Sequence, residues 1–155
     1  VQVLKGPTVT RLFLVLLLTG LGAAQAQTTR LFRDDRGNTV EIPVNPQRVV
    51  VLDDRTVEAA AAVGASVVGA VGRYPDAIVP PVFRPLLGDE VVNIGVEPDL
   101  EAVLNLNPDL IVGQPWVFGE TAAQLRQIAP VVMLDYWTDE TYTATQWETH
   151  LRRVA

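Results

Sequence analysis

A Rossmann-like, doubly wound parallel α/β sheet with helices on both faces is the fold this sequence predicts. Three observations predict it. Short apolar runs at residues 49–52, 67–71, 110–112 and 131–134 have the length and content of strands covered on both faces. Helix-patterned segments separate most of these runs, as in repeated β-α units. Each run also breaks off into turn-forming or polar residues, among them Asp53, Gly72, Gly113 and Asp135.

Residues 1–26 read as a secretory signal peptide. Lys5 and Arg11 form the positive flank, residues 12–18 the apolar region, and Ala24-Gln25-Ala26 the cleavage site. The apolar run is too short to span a bilayer. No Cys follows it, so the expected product is a freely exported chain and not a lipoprotein. Cleavage after Ala26 would remove both of those positive charges and no acid.

Residues 31–33 and 39–42 flank a loop rich in turn formers, which predicts a hairpin. The first buried strand, 49–52, runs into Asp53-Asp54-Arg55, read as a turn. A helix is expected from Thr56 to Val63, with Val57, Ala60 and Ala61 inward and Gly64 closing it. Residues 67–71 form the second strand. Four prolines keep residues 72–90 from forming one continuous helix. A loop that long is functional or holds a short helix of its own.

The stretch from Gly95 to Gly113 organises the chain. Asp99 is a natural N-cap, because its carboxylate can accept from the free amides of the first turn. Leu100, Val103 and Leu104 are expected on one helix face. Asn107-Pro108 stops the helix, since the residue before proline avoids the helical region. Leu110-Ile111-Val112 is the next buried strand. Residues 114–119 are expected to be a loop, and 120–128 a helix with Leu125 and Ile128 inward. A last helix is expected to begin near Thr143 and to be still running at Ala155.

Composition excludes several functions. The 155 residues contain no Cys, one His (His150) and one Ser (Ser66). Thiol chemistry, zinc-thiolate sites and two-histidine zinc sites are therefore impossible for this chain. Ser66 does not sit on a nucleophile elbow. The net charge of −6 argues against a nucleic-acid partner. After the first strand stands Asp53-Asp54-Arg55-Thr56, without the Gly-x-Gly-x-x-Gly of dinucleotide enzymes. The chain does not read as an enzyme.

In a doubly wound sheet, ligands bind outside the carboxyl ends of the strands. Arginines and aromatics concentrate there. Arg73 and Tyr74 follow the second strand, Trp116 the third, and Tyr136 and Trp137 the fourth. Arg55 follows the first strand, and with Arg84 it is the weaker candidate, because a loop arginine is usually just solvated.

Several motifs together resemble the periplasmic binding proteins for iron-siderophores, haem and vitamin B12, the class III type of ABC importers. The most specific is Leu106-Asn107-Pro108-Asp109-Leu110-Ile111. The opening hairpin, Pro46-Gln47-Arg48-Val49-Val50-Val51-Leu52, and Ile128-Ala129-Pro130-Val131-Val132 are further matches, in the family's order. The resemblance implies two α/β lobes joined by a long helix, with the ligand in the cleft between them. Residues 27–155 would be the N-terminal lobe, without the linking helix and second lobe, because such proteins are roughly twice as long. The implied function is to bind a ferric siderophore and deliver it to the permease and ATPase at the inner membrane. The protein would be a periplasmic monomer without intrinsic cofactor or metal ligands, because the siderophore itself wraps the iron. Cobalamin or haem is the alternative ligand, and a non-binding fragment the alternative state. Glu120 falls where the family's first-lobe glutamate would meet the permease, with Glu101 as the alternative.

Overall fold

The computed structural model describes residues 27–72, 84–87, 90–118 and 121–135. The signal-peptide expectation, the last helix and the assignments at Arg73, Tyr74, Glu120, Tyr136, Trp137 and His150 lie outside those residues.

Two strands, β1 (Thr29–Arg33) and β2 (Thr39–Pro43), form the expected antiparallel hairpin. Its turn is fixed by buried Asp34, whose carboxylate accepts from the amides of Arg36 and Asn38 and from the Asn38 side chain. Gly37 takes the positive φ of 79° that this turn requires.

The main sheet contains β3 (Val49–Val51), β4 (Val67–Ala70), β5 (Val92–Asn93), β6 (Leu110–Gly113) and β7 (Val131–Met133). The strand order is β5-β4-β3-β6-β7, and every pairing is parallel. From β3 the chain winds outward to β5, then returns across the sheet to β6 on the other side of β3. The order therefore reverses between β3 and β6, which makes that seam the topological switch point.

Alternation along the strands builds a core on each face. Val49 and Val51 join Val57, Ala60, Val112 and Leu134 on one face, with Phe32 and Val40 of the hairpin packed against them. Val50 and Leu52 join Ile94, Val103, Ile111 and Leu125 on the other. The first face is covered by α1 (Asp54–Ala62) and the hairpin. The second is covered by α3 (Leu100–Asn105) and α5 (Ala122–Leu125). Gly69 of β4 permits this close approach: a Cβ there would stand 2.4 Å from Leu106 Cδ1.

Several expectations need correction. Residues 53–55 are no free turn: Asp53 caps α1, so the helix starts two residues before Thr56. Residues 114–119 hold a single helical turn, α4 (Pro115–Phe118), started by a proline at the position where its missing N–H costs nothing. The helix expected at 120–128 is α only at α5, with turns after it. Leu104 is exposed and not inward, because in a six-residue helix its neighbour Val103 takes the sheet-facing position. The short helix anticipated within 72–90 is α2 (Arg84–Leu87). The strand β5 carried no readable pattern, since it has two residues and both are exposed.

The Asn-Pro-Asp motif has a structural task at the amino end of the β3–β6 seam. Asp109 accepts from the backbone amides of Gln47 (2.7 Å) and Arg48 (2.9 Å), and from the Gln27 side chain. Its own amide donates to the Arg48 carbonyl. Arg48 in turn donates to the Leu106 and Asn107 carbonyls at the end of α3. Asn107 adopts a left-handed φ of 45°, which Asn tolerates better than most residues. Asp109→Ala is expected to lower stability by about 2 kcal/mol, because hydrogen bonds to a charged acceptor are lost. Urea denaturation should show a lower midpoint with an unchanged slope, while Asn107→Gly should leave the midpoint close to that of the wild type.

Candidate functional site

The carboxyl edge of the β3–β6 seam gathers three of the four buried polar side chains among the described residues: Asp53, Thr56 and Gln114. Asp53 follows β3 and is 4% exposed; Gln114 follows β6 and is 1% exposed. One oxygen of Asp53, Oδ1, accepts from the Thr56 amide (2.9 Å) and from Gln114 Nε2 (3.1 Å). The other, Oδ2, accepts from Thr56 Oγ1 (2.6 Å) and the Gln114 amide (3.0 Å). Four donors thus compensate the burial of one carboxylate, which would otherwise be strongly unfavourable.

Trp116 stands on α4 directly beyond this cluster. The turn is closed by the Val117 amide donating to the Gln114 carbonyl. Trp116 is 60% exposed, yet its Nε1–H donates inward to Gln114 Oε1 at 2.8 Å. A large aromatic ring is therefore held in place at the switch point with its surface open to solvent. Tryptophan so placed offers area for stacking at small entropic cost.

Arg55 lies half-buried in the first turn of α1, at the same edge. Asp54 beside it is exposed, and Glu58 follows one turn on. The Glu58 carboxyl is held above its ordinary value, first by burial and then by the Asp54 charge, with Arg55 acting in the opposite direction. Across the sheet, the hairpin turn reaches the end of β7. The Asp35 amide donates to the Met133 carbonyl, and the Asp135 amide donates to Asp35 Oδ2 at 2.8 Å. This fixes Asp135, the last described residue after β7.

Of the sequence-derived candidates, the structure brings Arg55 and Trp116 to one edge. Arg73, Tyr74, Tyr136 and Trp137 follow described residues of that edge but themselves lie outside the described residues. Arg84 begins α2. Sequence reasoning missed Asp53 and Gln114 as supports of Trp116. Asp53 carried a signal, since an Asp between an apolar run and a helix-patterned segment is a candidate N-cap. Gln114 carried none, because its partner comes from another strand. A space of about 180 Å³ between the hairpin and α1 is lined largely by core side chains such as Phe32, Ile42, Ala60 and Leu134.

No protein-family model matches the chain. Curated relatives do. A probable siderophore-binding lipoprotein of Bacillus subtilis, YfiY, is 35% identical over 108 residues, covering 69% of this chain and 33% of its own. The iron(3+)-hydroxamate-binding protein FhuD of the same organism is 35% identical over 109 residues, covering 70% of this chain and 32% of its own. The Fe(3+) dicitrate-binding periplasmic protein FecB of Escherichia coli is 33% identical over 132 residues, covering 84% and 43%. Among solved structures, Staphylococcus aureus SirA complexed with staphyloferrin B superposes with a TM-score of 0.63 at 28% identity, over 81% of this chain and 46% of that one. The chain thus spans a third to under half the length of these curated relatives. These relatives, named for siderophore, hydroxamate and dicitrate complexes of iron, are matched over part of their own chains and are of the iron-siderophore kind that the sequence motifs resemble.

The Glu58 environment gives a prediction with a defined sign. A carboxyl raised on folding contributes stability that is fully present below its unfolded value and is lost as pH rises through the folded one. Glu58→Gln should therefore be more stable than the wild type at pH 7, and the difference should disappear below the ordinary Glu value of 4.5. Thermal melts across that range check it.

Proposed function

We propose that this chain is the ligand-binding N-terminal lobe of a periplasmic solute-binding protein, and that it presents the β3–β6 switch-point edge to a ferric siderophore for delivery to an ABC importer. The observation that carries this reading is Trp116, an exposed indole locked by its N–H onto the buried Asp53–Gln114 pair where doubly wound sheets bind ligands. Kinship with proteins named for siderophore, hydroxamate and citrate complexes of iron supports the ligand class.

In this reading the iron is cargo. The siderophore supplies its ligands, and the protein supplies an outer surface of arginine and aromatic groups. Arg55 and Trp116 act with Arg73, Tyr74, Tyr136 and Trp137, which follow the neighbouring strand ends. Arginine pairs with carboxylate or catecholate oxygens, and the aromatics stack on the chelate. A second lobe would form the opposite wall of the cleft. Glu120 would face a permease arginine, and residues 1–26 would direct export to the periplasm. The reading assigns the chain binding and not catalysis.

A fluorescence titration of the purified chain with ferric siderophores, the matching iron-free siderophores, cobalamin and haem tests the reading. Saturable quenching by a ferric siderophore is expected. Trp116→Ala should weaken it about tenfold, which corresponds to about 1.4 kcal/mol. Quenching by cobalamin or haem alone would transfer the site to that ligand. A folded chain that responds to none of them would contradict the reading.

A further inference from the structure

We infer that Asp53 is a positioning residue of the binding edge: through Gln114 its accepting oxygens set the orientation of the Trp116 indole, which then meets the ligand by its face and not by its N–H. This deepens the binding role proposed above and rests on it for the ligand, though not for the geometry.

The inference comes from the direction of each hydrogen bond. An ionised carboxylate only accepts. Each Asp53 oxygen already takes one donor from Thr56, at 2.9 Å for Oδ1 and 2.6 Å for Oδ2. The Gln114 amide approaches Oδ2 from the backbone, at 3.0 Å. The Gln114 side chain meets Oδ1 at 3.1 Å, and only its NH₂ end can do so favourably. The carbonyl end must then point away from Asp53. There it accepts the indole N–H at 2.8 Å. A flipped carboxamide would set oxygen against carboxylate and NH₂ against N–H, two unfavourable contacts in a region where Gln114 is 1% exposed. The accepting oxygens of Asp53 are therefore read two hydrogen bonds away as the pose of an exposed ring.

The consequence for recognition is specific. Trp116 is 60% exposed, but its single donor is engaged inside the protein. What remains for a ligand is the flat indole surface. Such a platform favours a ligand with a planar aromatic ring, such as a catecholate chelate of iron, over a ferric chelate whose arms are aliphatic.

The test uses the full chain and two probes, ferric 2,3-dihydroxybenzoate and ferric acetohydroxamate. In nitrogen-15 spectra without ligand, the indole N–H of Trp116, identified by its loss in Trp116→Phe, should be shifted from the free-indole position and exchange slowly. Gln114→Met keeps the Thr56 and backbone bonds to Asp53 but removes the carboxamide. It should return that resonance to the free position and speed its exchange about tenfold or more. Asp53→Asn should do the same where it folds. In binding, Gln114→Met should weaken the catecholate probe about threefold to tenfold, with little effect on the hydroxamate probe. In a Trp116→Phe background it should have no further effect, because the coupling runs through the indole. An unchanged indole resonance in Gln114→Met overturns the inference, as does an equal loss of affinity in both backgrounds. Failure of both probes to bind, with the resonance shift present, would refute the ligand role and uphold the relay.

Discussion

The carboxylate of Asp53 is buried inside the protein, and much of the carboxyl edge is arranged around its need for hydrogen-bond donors. It sits where the strand order reverses, so the chain leaving β3 and the chain leaving β6 diverge on either side of it. Water reaches it poorly, at 4% exposure. The donors that replace water come from both sides: Thr56 from the first turn of α1, and Gln114 from beyond β6. Meeting the needs of one buried group thereby ties a helix start to a strand end. The same bonds fix the orientation of the side chain that holds Trp116.

A second carboxylate performs the corresponding task at the amino end of the same seam. Asp109 holds the segment entering β3 through the amides of Gln47 and Arg48, before Leu110 begins β6. Between the two aspartates, Val49 to Val51 pairs in register with Leu110 to Val112. Hydrophobic burial on both faces drives the sheet together, but it is not directional. The two aspartates add direction, because a hydrogen-bonded carboxylate tolerates little displacement.

Much of the frame was legible because its causes are local. Asp99 caps α3 through the amides of Glu101 and Ala102, as its place before an apolar helical stretch indicates. The buried strands announce themselves as apolar runs, and the hairpin by its turn residues. What was not legible has a non-local cause. β5 forms because Gly69 and Ala70 offer it an edge, not because Val92 and Asn93 favour a strand. Leu104 looks like a core residue by spacing, but a helix this short can bury only a narrow stripe. Gln114 becomes a support of the site only because a residue 61 positions earlier in the chain lies beside it. The switch point could be located from the alternation of strands and helices, whereas the hydrogen bonds that orient Trp116 could not.

This division between frame and edge bears on how ligand choice could be set in such a fold. The proteins to which this chain is related are named for chemically different iron complexes, yet they align over most of it. Binding different chelates on one frame requires that the frame tolerate change at the strand ends. The geometry here permits that. The cores lie between the sheet and its helices, and the Asp109 clamp lies at the far edge. Among the described residues, the partners of that clamp are Gln27, Gln47 and Arg48, all at that far edge. Trp116 is the described residue at which the two systems meet. Its N–H belongs to the frame through Gln114, and its ring belongs to the edge. Substituting the ring alters what the edge can stack against, while Asp53 and Thr56 can remain bonded beneath it. The exposed ring of Trp116 can therefore diverge without disturbing the buried Asp53 carboxylate beneath it.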